Sequence, residues 1–379
     1  MCHHSNSLYN CALYVIKSYF KETGKYIGYS NLYHEMKNNI HYQSLYIRIS
    51  QQIIRLIDKD FRSFFALLNR KKKGEYASTV KEPSYKKKEG QFILIFPNDR
   101  LSIKNGYLKI TKDLKLPFTK KIDGVIKQLI IIPKYKGYYE ICLQYEETKN
   151  NPKNYELKNE NYLSIDLGIN NLSACFSNVG PSFIMNGKPL KSYNQFYNKR
   201  KAKIQSELKT VNDKHWSILL SKITTNRNNY INNYFNQSVK KIIDYCLEYK
   251  IKNIVVGYNE GWKQEINIGK RNNQNFMNIP HLNLRKKLEY KCNNYDMNFI
   301  QHEESYTSKC SFLDNESMGR HDEYLGKRIK RGLFKSFNGT LLNADINGSA
   351  NIMRKVVSNV FVTDEIVASM VKPIILNLF

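Results

Sequence analysis

The residues of this chain best suited to chemistry are carboxylates, and four of them stand in short segments of distinctive composition. Asp166 lies in SIDLGIN (164–170), directly after a run of strand formers, with Gly168 placed for a tight turn. Glu303 and Glu304 open EESYTSK (303–309), just past the apolar stretch 297–301, and Asp345 lies in NADINGSANIMRK (343–355), at the head of a helical pattern. Singly, each has an ordinary structural explanation: a hairpin-turn aspartate, an acidic pair in a solvated loop, an N-cap. Their order says more. An acid at the end of a first strand, one at the end of a later strand and one at the start of the last helix can converge at one edge of a sheet. Three carboxylates there offer hard oxygen ligands to a pair of Mg²⁺ ions about 3.5–4 Å apart, with Mn²⁺ as a substitute; one ion would activate water and the other steady the leaving oxygen. That is phosphodiester hydrolysis chemistry.

The elements that must position these acids follow from periodicity. Up to about residue 73 the apolar residues recur at helical spacing: Leu8, Ala12, Val15 and Ile16, then Ile53, Ile54, Ile57, Phe61, Phe64 and Leu68. Two amphipathic helices with a shorter one between them are expected. From 90 to 145 the pattern changes to short β-branched and aromatic runs (91–96, 101–103, 107–110, 125–132, 138–145), with Asn105-Gly106 as a type I′ hairpin signal. These read as a small β-barrel. The polar stretch 147–161 reads as a linker or long loop. Beyond it come strands at 162–165, 172–176 and 182–185, two long helices within 192–249, a buried strand at 253–256, a helix at 282–293, a strand at 297–301 and a helix from about 345. A βββ-α-β-α-β-α order is that of an RNase H-like α/β domain with insertions. The expected division is a helical part (1–75), a β part (76–150) and an α/β part (151–379) with an insert at about 305–342.

Sixty Lys and Arg against 33 Asp and Glu leave a net charge of +27, which favours a polyanionic partner, nucleic acid above all. The clusters Lys86-Lys87-Lys88 beside Tyr85, and Lys327, Arg328, Lys330 and Arg331 near Phe334, are the candidate phosphate contacts. No apolar run approaches the roughly 18 residues of a membrane span, and the first ten residues carry no signal-peptide core, so a cytoplasmic, nucleoid-associated protein with no membrane partner is expected. Seven scattered cysteines include no C-x-x-C, so reduced thiols and no structural zinc are expected.

The three acidic segments resemble the RuvC-like motifs of the TnpB/OrfB family, encoded in insertion sequences and related to type V CRISPR effectors and Fanzor proteins. The resemblance runs through IVVGYNEGWK (254–263), GKRIKRGLFK (326–335), SQQIIRLIDKDFRSFFAL (50–67) and PSYKKKEG (83–90), and covers nearly the whole chain. It implies an RNA-guided, Mg²⁺-dependent endonuclease that holds a guide RNA from the element end, using a β-barrel wedge and a helical recognition insert, and cuts double-stranded DNA with its RuvC-like domain. Asp166 and Asp345 match the family's first and last metal-binding aspartates. The middle glutamate in many relatives ends the strand corresponding to 253–256. Here that strand runs on through Gly257, Tyr258 and Asn259, with no acid until Glu260. The sequence is similar to a subgroup whose glutamate precedes the Tyr-Thr-Ser triplet, which selects Glu304, with Glu303 and Glu260 as reserves. Most relatives also carry a four-cysteine zinc finger between the second and third motifs, where this chain has Cys310 alone. They usually begin with a wedge strand before the first helix, whereas this chain opens at the helix. A catalytically silent, repressor-like guide-RNA and DNA-binding protein on the same fold is the rival expectation.

Overall fold

Alternation with period two governs the strand that carries the first acid. Leu163, Ile165 and Leu167 point to one side, into a core with the long helices, while Ser164 and Asp166 point to the other. In the computed structural model, which describes residues 1–119, 122, 124–135, 137–147, 155–213, 215–259, 279–357, 360 and 362–378, the chain divides into two compact units, 1–150 and 151–379.

In the first unit, helices α1 (Cys2–Thr23), α2 (Gly28–Met36), α3 (Ile40–Gln43) and α4 (Ile47–Lys72) precede strands β1 (Leu94–Pro97), β2 (Ser102–Lys104), β3 (Tyr107–Lys109), β4 (Lys115–Pro117), β5 (Gly124–Tyr135) and β6 (Tyr138–Glu147). The strands pair as two three-stranded sheets, β1-β5-β6 and β2-β3-β4. Leu8, Leu13 and Ile16 of α1, Ile53 and Ile57 of α4, Leu94, Leu129 and Ile131 of the first sheet and Leu108 of the second share one buried cluster, so helices and strands are stabilised together. Asn105 and Gly106 both adopt positive φ, 51° and 75°, as the hairpin reading required. Where one short helix was expected between the long ones there are two, because Asn39 turns extended after α2 and caps α3, its side chain accepting from the His41 amide.

The second unit is built on a six-stranded sheet. Its strands are β7 (Lys158–Leu167), β8 (Asn171–Ser177), β9 (Phe183–Asn186), β10 (Ile251–Tyr258), β11 (Asn298–Glu303) and, near the C-terminus, β15 (Ile374–Leu376). Their order is β11-β10-β7-β8-β9-β15, with β7-β8-β9 antiparallel and β10, β11 parallel to β7. Helices α5 (Lys188–Asn212), α6 (Ile218–Glu248) and α7 (His281–Asn294) follow β9 and β10. Phe235, Ile242 and Cys246 of α6, with Leu284 and Leu288 of α7, cover one face of the sheet. Helices α8 (Ala344–Arg354) and α9 (Asp364–Val371) cover the other against Ala174, Phe176 and Ile184. This is the RNase H-like order expected from the sequence.

One expectation needs correction. The stretch 147–161 is not loop throughout: β7 already begins at Lys158, whose amide bonds the Lys250 carbonyl, and the Asn161 side chain donates to the Tyr249 carbonyl. Polar residues can enter a strand there because backbone and side-chain partners satisfy them. The insert after Glu304 contains a small sheet of β12 (Lys327–Lys330), β13 (Leu333–Lys335) and β14 (Leu341–Asn343).

Candidate carboxylate centre

Helix α8 is locked to β7 by a reciprocal serine pair. Ser164 Oγ donates to the Ser349 carbonyl at 2.6 Å and Ser349 Oγ to the Ser164 carbonyl at 2.8 Å, both fully buried. Because Asp166 is two residues along the strand from Ser164, it faces the same helix. It meets that helix at Gly348, where a Cβ would stand 3.1 Å from Asp166 Oδ2. Asp345 precedes Gly348 by three residues and so lies about one turn nearer the helix N-terminus. Asp345 does not cap that helix. Asn343 does, accepting from the Asp345 and Ile346 amides, which leaves the Asp345 carboxylate free for other partners.

Glu304 arrives from the other side of β7. It follows β11, whose partner β10 places Gly257 opposite His302 and Tyr258 opposite Glu303. A Cβ on Gly257 would lie 2.6 Å from Glu304 Oε2 and 2.5 Å from Ile352 Cδ1, so the glutamate carboxylate occupies the volume that any side chain at 257 would take. Asn259 Nδ2 donates to Glu304 Oε1 at 3.2 Å. Glu303 is set differently: exposed, it accepts from the Ser305 amide and hydroxyl and pairs with Lys355 at 3.2 Å. The third alternative, Glu260, lies outside the described residues.

The electrostatics follow from this crowding. The carboxyl of Asp166 is pushed up to about 8, chiefly by desolvation and then by the charges of Glu304 and Asp345, with Arg328 opposing. Burial, then Glu303, raise Glu304, against Lys355 and Arg285. Glu303 is held below its ordinary value, first by the Ser305 hydroxyl. Asp345 is anchored at both oxygens, by Asn171 Nδ2 at 2.7 Å and by the Arg328 guanidinium at 2.7 Å.

The donor set suits a hard divalent cation, and the mutual repulsion of the acids is what such an ion relieves. Among the described residues no three His, Cys, Asp or Glu side chains stand ready to hold an ion as they are. The Arg328 guanidinium supplies positive charge at Asp345 instead.

The remaining basic candidates separate by environment. Lys327, Lys330 and Arg331 are exposed on the hairpin of β12 and β13 that carries Arg328. Lys87 and Lys88 are exposed, whereas the Lys86 ammonium lies over the rings of Tyr9 (4.2 Å) and Phe92 (4.0 Å), and burial lowers its basicity. The segment carrying them is pinned to α1: Asn10 bonds the Lys86 amide and carbonyl, and Asn6 bonds the Lys87 carbonyl.

Sequence reasoning missed Asn171, Asn259, Gly257, Gly348 and Glu316. The first four matter only through contacts between distant segments, and no local pattern marks them. The buried Glu316 carboxylate accepts from the Ser311 amide at 2.6 Å and the Leu325 amide at 2.8 Å, tying together two parts of the insert. Asn347 and Asn351 of α8 hold the same insert through the Cys310 carbonyl.

A sheet of this order with acids at the ends of β7 and β11 and in the first turn of α8 defines an RNase H-like protein of the RuvC type. Comparison with known proteins agrees. The profile of OrfB_IS605, described as a probable transposase, matches residues 141–263, and that of the Cas12f1-like TNB domain matches 281–352. TnpB-like protein ORF457 of Acidianus two-tailed virus is 26% identical over 347 residues, spanning 81% of this chain and 72% of that protein. The solved Cas12f1, in its complex with sgRNA and target DNA, shares the fold with a TM-score of 0.55 at 15% identity, over 92% of this chain and 80% of that one. The chain is thus similar to TnpB/OrfB proteins in sequence and to Cas12f1 in fold.

Proposed function

We propose that the chain is an RNA-guided, divalent-metal-dependent DNA endonuclease of a transposable element, with Asp166, Glu304 and Asp345 as its metal-holding carboxylates. The observation that carries this reading is the approach of acids from three distant segments through two side-chain-free positions, Gly257 and Gly348. Mg²⁺, when bound, supplies an activated water and neutralises charge on the leaving oxygen. The chain's own residues do the rest. Asn171 and Asn259 fix the orientation of Asp345 and Glu304. Burial and the neighbouring acids raise the Asp166 carboxyl, and a cation held among the three acids would favour its charged form. Arg328 must release Asp345 and is then free to meet a phosphate. The relatives' complex with sgRNA and target DNA supports the partners, a guide RNA and a double-stranded DNA target.

The test is to co-express the chain with RNA from its flanking DNA, purify the complex and assay plasmid cleavage with and without Mg²⁺, beside Asp166→Ala. Guide-dependent cutting that needs Mg²⁺ and is abolished by the substitution is the expected result. RNA retention without cutting would favour the second reading, a silent RNA- and DNA-binding protein, for which the Arg328–Asp345 ion pair is the specific support.

A further inference from the structure

Helix α5 has no part in the carboxylate centre, yet it begins beside it. Gly187, its N-cap, donates to the Asn170 carbonyl and packs so closely on Ile169 and Leu172 that a Cβ would meet their backbones. Lys191 reaches Asn170 Oδ1 at 3.0 Å, and the neighbouring Asn171 holds Asp345. From that point the helix runs for 25 residues with seven Lys or Arg and a single acid, Glu207.

Its buried side is ordinary: Leu190, Tyr197 and Ile204 pack inward, Tyr197 and Ile204 with Leu220 and Ile223 of α6. The opposite side is a coherent stripe at helical spacing: Lys188, Ser192, Phe196, Lys199, Arg200 and Lys203, all exposed. Phe196 is 60% exposed, rimming a shallow depression between α5 and α6 floored by Tyr193, Tyr197 and Ile223. Among the described residues, Lys188, Lys199, Arg200 and Lys203 make no ion pair. An exposed ring between unpaired cations suits a base that stacks while its phosphates are held on either side. A duplex, its bases already stacked, has no use for the ring.

We propose that this stripe is a track for single-stranded DNA, about 22 Å from Lys188 to Lys203, that leads a DNA strand to Asp166, Glu304 and Asp345. The inference rests on the nuclease reading. DNA rather than RNA is assigned because the stripe starts at the acids, and the strand to be cut is the one that must reach them.

The experiment uses the full chain with its guide RNA in the Asp166→Ala background, a fluorescein-labelled oligo-dT of about twenty nucleotides, and anisotropy titrations over a salt series. Phe196→Ala should weaken binding about tenfold, as loss of one stacked base does. The triple variant Lys199→Ala, Arg200→Ala, Lys203→Ala should weaken it further and flatten the slope of log affinity against log salt by about 2, with copurified guide RNA unchanged. Unchanged affinity and slope in both variants would overturn the proposal. So would loss of copurified RNA with oligo-dT binding intact, which would make the stripe an RNA contact. The two readings fail separately: a wild-type complex that never cuts would sink the nuclease while the oligo-dT contrast could persist, and a cutting wild type without that contrast would sink the track.

Discussion

Glu304, Glu303 and Gly257 divide one task. Glu304→Ala should lower cleavage by at least about 100-fold, on the scale of losing a charged group that acts at the reacting centre. Glu303→Ala should cost little, since that carboxylate is engaged with Ser305 and Lys355. Equal activity in both variants would count against Glu304. Gly257→Ala should resemble Glu304→Ala in activity, because its methyl would displace the carboxylate or Ile352. Asp166 carries a prediction about pH. Its folded value, about 8, stands well above that of an unfolded aspartate, so the folded state is favoured at low pH and loses stability as pH rises from about 4 towards 8. Asp166→Asn removes that loss. The melting temperature of the variant, relative to wild type, should therefore climb between about pH 5 and 8 and level off above, when both are measured in EDTA. A gap independent of pH would show that the carboxyl is not perturbed. Arg328→Ala should tighten Mn²⁺ binding measured by calorimetry, since a guanidinium no longer competes at Asp345.

At the scale of elements, the insert 305–342 is tied together by the Glu316 carboxylate. Glu316→Ala would leave the buried Ser311 amide without its acceptor, at a cost of roughly 1–3 kcal/mol, and would release the Leu325 amide of an exposed residue. Hydrogen exchange should rise in the insert and not in the central sheet; equal rises in both would mean that Glu316 supports the whole unit. Much of the α/β unit was legible in the sequence. The runs around Leu163 and Ile254 are apolar because both faces of those strands are covered, whereas the run around Phe299 belongs to a half-covered edge strand; each marked its strand to within a few residues. The small sheet after Glu304 was not legible, because β12 is Lys-Arg-Ile-Lys with every residue exposed; only its pairing to β13 and the burial of Phe334 make it a strand. Asp166 and Asp345 could be selected by their motifs, whereas their coupling through Gly348 and Ser349 depends on a crossing of helix and strand that local sequence does not encode.

For the whole molecule, charge and division into units govern behaviour. A net charge of +27 makes binding to any polyanion strongly dependent on salt, so affinity for nonspecific duplex DNA should fall by orders of magnitude between about 50 and 200 mM salt. Nearly flat binding over that range would show that the cations do not meet phosphate. Residues 151–379 contain two apolar clusters of their own on either face of one sheet, and should melt cooperatively when expressed alone. A broad transition without a baseline would show that the fragment depends on the first 150 residues.

The glycine at 257 makes one point in space reachable from two strands. Neighbouring parallel strands end at the same height, so a carboxylate can arrive there from the tip of either β10 or β11. What the geometry fixes is the place of the charge; either chain position can deliver it, provided that the other carries no side chain. Acids at both tips would crowd two anions into a space sized for one. Gly257→Glu combined with Glu304→Gly should therefore deliver the carboxylate from β10 instead, with activity above either single variant.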